Sequence, residues 1–264
     1  MVQAANLVQL KPRTLQTFEE YIREAESGMQ PSLQGSSAFL WSETNQERAQ
    51  QVRQGKVVAQ LWAGDGPVKI PNGLIHDWTG AVFVPTATVE QSLALVQDYD
   101  NHKDIYQPEV IDSKLISRDG DDFKIFLRLL KKKIITVVLD TDHDVHYSEV
   151  GPGRWFCRSY TTRIAEVEDA GTDKELALEP DTGYGFLWRL YSYWKFDQRS
   201  EAAGDRRASA APANGVFIEC RAISLTRDIP YGLGWIIEPI IRNLPHESLI
   251  HTLECTRRAL KKTA

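Results

Sequence analysis

Long apolar runs are missing from this chain. None approaches the roughly 18 residues that a membrane-spanning helix needs, so no transmembrane segment is expected. The opening stretch "MVQAANLVQLKPR" lacks a basic region followed by an apolar one, so a signal peptide is not expected in it, and the compartment stays open. Cysteine is scarce: Cys157, Cys220 and Cys255 stand alone, with no CxxC spacing. An odd number of isolated cysteines argues against a disulfide framework and for buried thiols. N-x-S/T sequons, Walker loops, GxGxxG fingerprints and GxSxG elbows are all absent. No cofactor or metal is called for. Excess positive charge is missing too. The net charge is −5, with Lys and Arg spread along the chain, which argues against a nucleic-acid partner.

What is present is an ordinary globular composition over 264 residues, 42% apolar and 25% charged, enough for a large core. Residues 1–74 differ in character from the rest. Thr14 can cap a helix through "LQTFEEYIREAE", with Leu15, Phe18, Ile22 and Ala25 at helical spacing. A second helix fits 43–54, begun by Ser42 and ended by Gly55, before the turn-rich "GDGPVKIPNG". These residues read as an extension packed on a main domain spanning 75–264.

The main domain has a clear order. "GAVFVP" is a short strand, and Thr88 with Gln91 forms a capping box that opens a helix. A second helical turn ends at Pro108. Extended segments follow: a hairpin turning at Asp119–Asp122, a long strand through "IITVVLDTDHDVHYSEV", a "GPG" turn into "RWFCRSYTTRIAEV", an aromatic strand and "GVFIECRAISLTRDIP". Residues 199–214 are small and polar, a loop. From Gly232 to Lys262 the pattern is helical, with Pro239 and Pro245 expected to kink or divide it. Antiparallel strands followed by one apolar-faced helix imply an α+β fold of about seven strands.

Three constellations have the residue types of chemical sites. "DTDHDVHYSE" is rich in metal-ligating groups, yet in a strand Asp140, Asp142, Asp144 and His146 share one face while His143 points away. A solvated strand is the expectation. "PHESLIH" places His246 and His251 five apart, about 140° around a helix, which does not suit shared chelation. In "GLIHDWTG", His76 and Asp77 are adjacent on an extended chain and point to opposite sides, so a structural histidine is expected.

The run "YGFLWRLYSYWKF" holds seven aromatic residues in thirteen positions. Period two gives one face with Phe186, Trp188, Leu190, Ser192, Trp194 and Phe196, and another with Leu187, Arg189, Tyr191, Tyr193 and Lys195. The first face should look inward, where the small Ser192 leaves a gap between Leu190 and Trp194. Plain core and pocket lining compete for it. The amphipathic second face should look outward. On the neighbouring strand Phe156, Arg158 and Tyr160 share a face, opposite Trp155, Cys157 and Ser159, with inward or outward phase unsettled.

The order of elements, with "GAVFVPTATVEQSLALVQDYDNHKDIYQPEVIDSKLI" at its start and "LTRDIPYGLGW" leading into the terminal helix, resembles the START-like or SRPBCC superfamily, most closely a bacterial branch. The resemblance covers about residues 76–262. It implies a helix-grip fold, a curved antiparallel sheet wrapped around a long C-terminal helix, with an internal apolar cavity. The superfamily shares no catalytic motif, so the resemblance carries over no functional residue. The function expected is binding or carrying of a hydrophobic molecule, such as a lipid, isoprenoid or polyketide, with transient membrane contact allowed. The expected lining is Phe186, Trp188, Ser192, Trp194, Tyr160, Arg158, Cys220, Trp235, Ile236 and Ile240. A cyclase, aromatase or hydrolase acting on such a ligand is the alternative, with Arg158, Glu219 or Tyr160 as possible acid–base groups; it requires a strongly perturbed ionisable group in the cavity. A third reading makes residues 1–74 an assembly module.

Overall fold

The computed structural model describes residues 7–132, 136–199, 214–228 and 234–263, with side chains in the last stretch described over 243–262. The polar loop expected at 199–214 lies almost wholly outside the described residues. Five helices are present among them: α1 (Pro12–Leu33), α2 (Gln46–Arg53), α3 (Val89–Val96), α4 (His102–Ile105) and α5 (Gly234–Thr263). The main sheet comprises ten strands: β2 (Val58–Leu61), β3 (Val68–Ile70), β4 (Gly73–Pro85), β5 (Val110–Asp119), β6 (Asp122–Lys132), β7 (Thr136–Gly151), β8 (Arg154–Glu168), β9 (Leu176–Ala177), β11 (Arg189–Arg199) and β12 (Gly215–Arg227). Their order is β2-β4-β12-β11-β8-β7-β6-β5, with β3 added to β4 and β9 to β8, and every pairing is antiparallel. A separate ribbon joins β1 (Val8–Gln9) to β10 (Thr182–Gly183).

Local chemistry explains most element ends. The Thr88 hydroxyl accepts from Gln91 N while the Gln91 side chain accepts from Thr88 N, a complete capping box. The β5–β6 hairpin turns at Asp119 and Asp122 through Gly120, whose φ of +58° suits glycine. Helix α1 begins two residues before the expected Thr14, because Pro12 occupies a first-turn position that tolerates its missing N–H. Thr14 donates instead to the Pro71 carbonyl at 2.7 Å. Asn45, not Ser42, caps α2, accepting from Arg48 N at 3.0 Å. Helix α5 continues through Pro239 and Pro245 without a break in its helical span, so each proline costs a backbone hydrogen bond and not the helix.

The largest departure from expectation is in the sheet. Ten strands replace about seven, and β4 starts seven residues before "GAVFVP". Both faces of the central strands are buried, so period two carries little contrast there. On one face Val82, Val84, Cys157, Phe196, Ile218 and Cys220 pack with Leu249, Leu253 and Leu260 of α5 and Val89 and Val96 of α3. On the other, Phe18, Ile22, Ala25 and Met29 of α1 cover Ile75, Tyr193, Ile223 and Leu225. Phe39, Leu40 and Val52 cover Ala81, Phe83 and Phe217 beside them. The result is a sheet gripping α5 on its inner face and carrying the N-terminal helices on its outer face.

Charged anchors hold that outer layer. Arg221 donates to both Asp77 oxygens at 2.9 and 2.6 Å, and Tyr21 of α1 donates to Asp77 Oδ2 at 2.8 Å. The buried Glu219 carboxylate accepts from Trp41 N and Ser42 N, both at 2.7 Å. Lys195 donates to Ser32 Oγ and the Phe39 carbonyl, both at 2.7 Å. Burial pushes the Glu219 carboxyl up and the Lys195 ammonium down to about 8. Glu26 of α1 accepts from Tyr160 and, at 2.9 Å, from Tyr193.

Leu253 is fully buried between α5 and the sheet. Leu253→Ala should therefore cost about 2–5 kcal/mol of unfolding free energy, read by denaturant titration.

Candidate functional site

The strand registers lay the inner face out in rows across the sheet. One row runs His76, Ser224, Leu190, Thr161 and His143. The next runs Trp78, Ala222, Ser192, Ser159 and Val145, and the third Gly80, Cys220, Trp194, Cys157 and Tyr147. The third row is where α5 seats. A Cβ at Gly80 would lie 2.8 Å from Leu253 Cδ1 and 3.2 Å from Leu249 Cδ2. One turn earlier in α5, the His246 ring lies 4.6 Å from Trp78 in the second row.

Burial changes between rows. Cys157, Cys220, Tyr147 and the fully buried Phe196 are closed off. Trp78, Leu190, Ser192, Ala222 and Ser159 keep part of their surface accessible, and so does Trp194. These residues lie mid-sheet, with α1 covering the opposite face. With that face covered, their accessible surface lies on the inner side of the sheet, the side of α5. The accessible patch consists of small side chains, Ala222, Ser192 and Ser159, flanked by the indoles of Trp78 and Trp194.

Its polar groups are hydroxyls and imidazoles. His143 Nε2 lies 2.9 Å from Thr141 Oγ1, and His143 Nδ1 lies 3.3 Å from Ser159 Oγ. Trp194 Nε1 donates to Ser192 Oγ at 3.3 Å. His76 Nε2 lies 3.1 Å from Thr226 Oγ1. Burial pushes both imidazoles down to about 4, with the His102 ring adding to the effect at His143, so both are neutral at pH 7. The two histidines are four strand spacings apart, about 19 Å along the sheet, too far to act on one group.

The residues expected to line a cavity are divided by the fold. Ser192, Trp194 and Cys220 lie on the inner face. Trp188 does not: it precedes β11 and packs with the α1 cluster, because the chain turns at Gly185, with φ +75°, before the strand pattern begins. Phe186 is displaced by the same turn and is 39% exposed. It lines a separate groove of about 400 Å³ with Tyr184, Val138 and Val167, edged by Glu168 and Asp169. Tyr160 and Arg158 share a face as expected, but that face is the outer one. Tyr160 bonds Glu26, and the exposed Arg158 lies over the Tyr160 ring. Glu219 is likewise on the outer side, holding backbone N–H groups of the N-terminal segment. Trp235, Ile236 and Ile240 lie outside the residues whose side chains are described.

The acidic run behaves as a strand face. Asp140 pairs with Arg128 at 2.7 Å, Asp142 with Arg163 at 3.4 Å and Asp144 with Lys124 at 3.2 Å. Among the described residues no group of three or more potential metal ligands converges. His76 faces Thr226 while Asp77 faces Arg221, the opposite orientation of adjacent strand residues. His143 and Ser159 were not expected as site residues. The sign of them was already present: His143 falls out of phase with the acidic face, and Ser159 out of phase with Arg158 and Tyr160.

The neutral histidines set a pH dependence. His102, with Nε2 3.1 Å from the Val96 carbonyl, is also pushed by burial from 6.5 to about 4. Folded pKa values lie below unfolded ones, so this stabilisation is complete above about 6.5 and is lost as pH falls toward 4. His102→Asn should show a shallower loss of melting temperature between pH 6.5 and 5 than the parent chain; parallel profiles would contradict it.

No family model matches this sequence. No curated protein matches it either. Solved structures resemble its fold. A STAR-related lipid transfer protein from Xanthomonas axonopodis is 16% identical at a TM-score of 0.46, over 75% of this chain and 99% of that one. A START superfamily protein from Mycobacterium smegmatis is 12% identical at 0.41, over 72% and 99%. The Zhui aromatase/cyclase from a Streptomyces species is 10% identical at 0.42, over 71% and 94%. Likeness at this level lends no ligand or activity to this chain.

Proposed function

We propose that this protein binds a mostly apolar small molecule, of lipid, isoprenoid or polyketide type, between the inner sheet face and the first half of α5. The observation that carries this reading is the accessible surface kept by Trp78, Leu190, Ser192 and Ala222 in the middle of a sheet covered on its other face. Two indoles supply flat apolar walls, and a few hydroxyls supply orientation, the usual balance of a small-molecule site. In this reading residues 75–264 hold the ligand, and residues 1–74 stiffen the sheet from outside.

The enzyme alternative requires a strongly perturbed ionisable group, and His143, pushed by burial from 6.5 to about 4, is one; the direction of its shift is toward the neutral ring. A general base works best with a pKa near the operating pH. An imidazole held near 4 is a weak base at neutral pH, and it supports hydrogen bonding better than proton abstraction.

The test is native mass spectrometry and organic extraction of the purified chain, together with titration by a fluorescent apolar probe. A retained apolar molecule or a saturable probe is expected. Ser192→Phe, which covers the patch, should weaken probe binding by about tenfold or more, equivalent to ~1.4 kcal/mol, with the melting transition kept. Probe binding indifferent to both Ser192→Phe and Ala222→Phe, with nothing extracted, would contradict the reading.

A further inference from the structure

The hydrogen-bond network around His143 fixes which ring nitrogen carries the proton. A hydroxyl has one hydrogen to give. That of Thr141 goes to the Leu127 carbonyl at 2.9 Å. Thr141 Oγ1 therefore faces His143 Nε2, 2.9 Å away, as an acceptor, and Nε2 carries the N–H. In a neutral imidazole the other nitrogen is then bare. So His143 Nδ1 accepts, and Ser159, 3.3 Å away, donates its hydroxyl hydrogen to it. The assignment follows from the network and needs no observed hydrogen.

The consequence falls on Ser159. Its hydrogen is held by the imidazole, so the rest of the Ser159 hydroxyl oxygen presents lone pairs. Directly opposite, on β11, stands Ser192. Its oxygen already accepts from Trp194 Nε1 at 3.3 Å, which leaves its hydroxyl hydrogen to be directed toward the inner side of the sheet. Facing residues of an antiparallel pair have Cβ atoms about 4.5–5.5 Å apart. One ligand oxygen can therefore bridge the two, donating to Ser159 and accepting from Ser192.

We propose that Ser159 and Ser192 form a polar anchor that selects a ligand hydroxyl over a carbonyl. This rests on the binding reading above. A hydroxyl satisfies both serines; a carbonyl satisfies Ser192 alone and leaves the Ser159 lone pairs without a donor. An unmet buried partner costs about 1–3 kcal/mol, roughly five- to hundredfold in affinity. The ligand class is then an apolar alcohol or phenol. His143 and Thr141 act as positioning residues that set the direction of the Ser159 hydrogen.

The experiment measures dissociation constants of the full chain for two matched pairs, a C16 aliphatic alcohol and its ketone, and a sterol and its 3-keto form. Whichever pair binds, the alcohol should bind roughly ten- to hundredfold more tightly. In Ser159→Ala the ratio should fall to within about twofold. Thr141→Val is nearly isosteric and removes the acceptor at Nε2. The ring proton should then move to Nδ1, turn the Ser159 hydrogen outward, and shift preference toward the ketone. Nitrogen-15 shifts of the His143 ring report that change, and Thr141→Ser should restore the parent ratio. Equal binding of alcohol and ketone, or a ratio unchanged in Ser159→Ala, would overturn the anchor while leaving the binding site standing. Failure of all four probes, together with no extracted molecule, would overturn both.

Discussion

Glycine at position 80 lets α5 approach the sheet. With a Cβ there, Leu253 and Leu249 would have to retreat, and the Val58 carbonyl 3.1 Å away would resist the shift. The helix is thus pinned against the third row of the inner face, where Leu249 and Leu253 pack in one cluster with Cys157, Cys220 and Tyr147. That contact also determines where the helix does not press. The row of Trp78 carries Ala222, Ser192 and Ser159, small side chains that keep accessible surface.

The outer layer makes this arrangement rigid. Asp77 and Arg221 form a buried pair completed by Tyr21, and such a pair is strongly destabilising to break because one charge is left behind. Glu219 stitches the Trp41–Ser42 backbone to β12. The extension folds back on its own sheet through these groups.

Much of the fold was legible. The Thr88–Gln91 capping box, the Asp119–Asp122 hairpin and the terminal helix are local signals, and local chemistry decided them. The faces of the aromatic strand were also read correctly from residue 190 onward, with Ser192, Trp194 and Phe196 inward and Tyr191 and Tyr193 under α1. The reading failed at Phe186 and Trp188, where a positive φ at Gly185 interrupts period two. It failed again for Tyr160 and Arg158, for a different reason. Aromatic content marks an inner face only when the other face meets water, and here both are buried. Strands β2 and β3 escaped notice because their side chains are short runs in a Gly- and Pro-rich passage and their pairing partner is the long β4. The hydrogen-bond direction at Ser159 depends on a carbonyl on β6, a relation between strands that no single stretch of sequence displays.

The central claim is that the inner face is closed at Cys157, Cys220 and Tyr147 and accessible at Trp78, Ala222, Ser192 and Ser159. Thiol labelling tests this directly. Cys157, Cys220 and Cys255 are all buried, and burial pushes each thiol upward, so the parent chain should resist N-ethylmaleimide under native conditions. A single added thiol in Ser192→Cys should react rapidly in the folded chain and be protected by bound apolar ligand. A Ser192→Cys chain as resistant as its parent would mean that the second row is packed shut, and the account would be wrong.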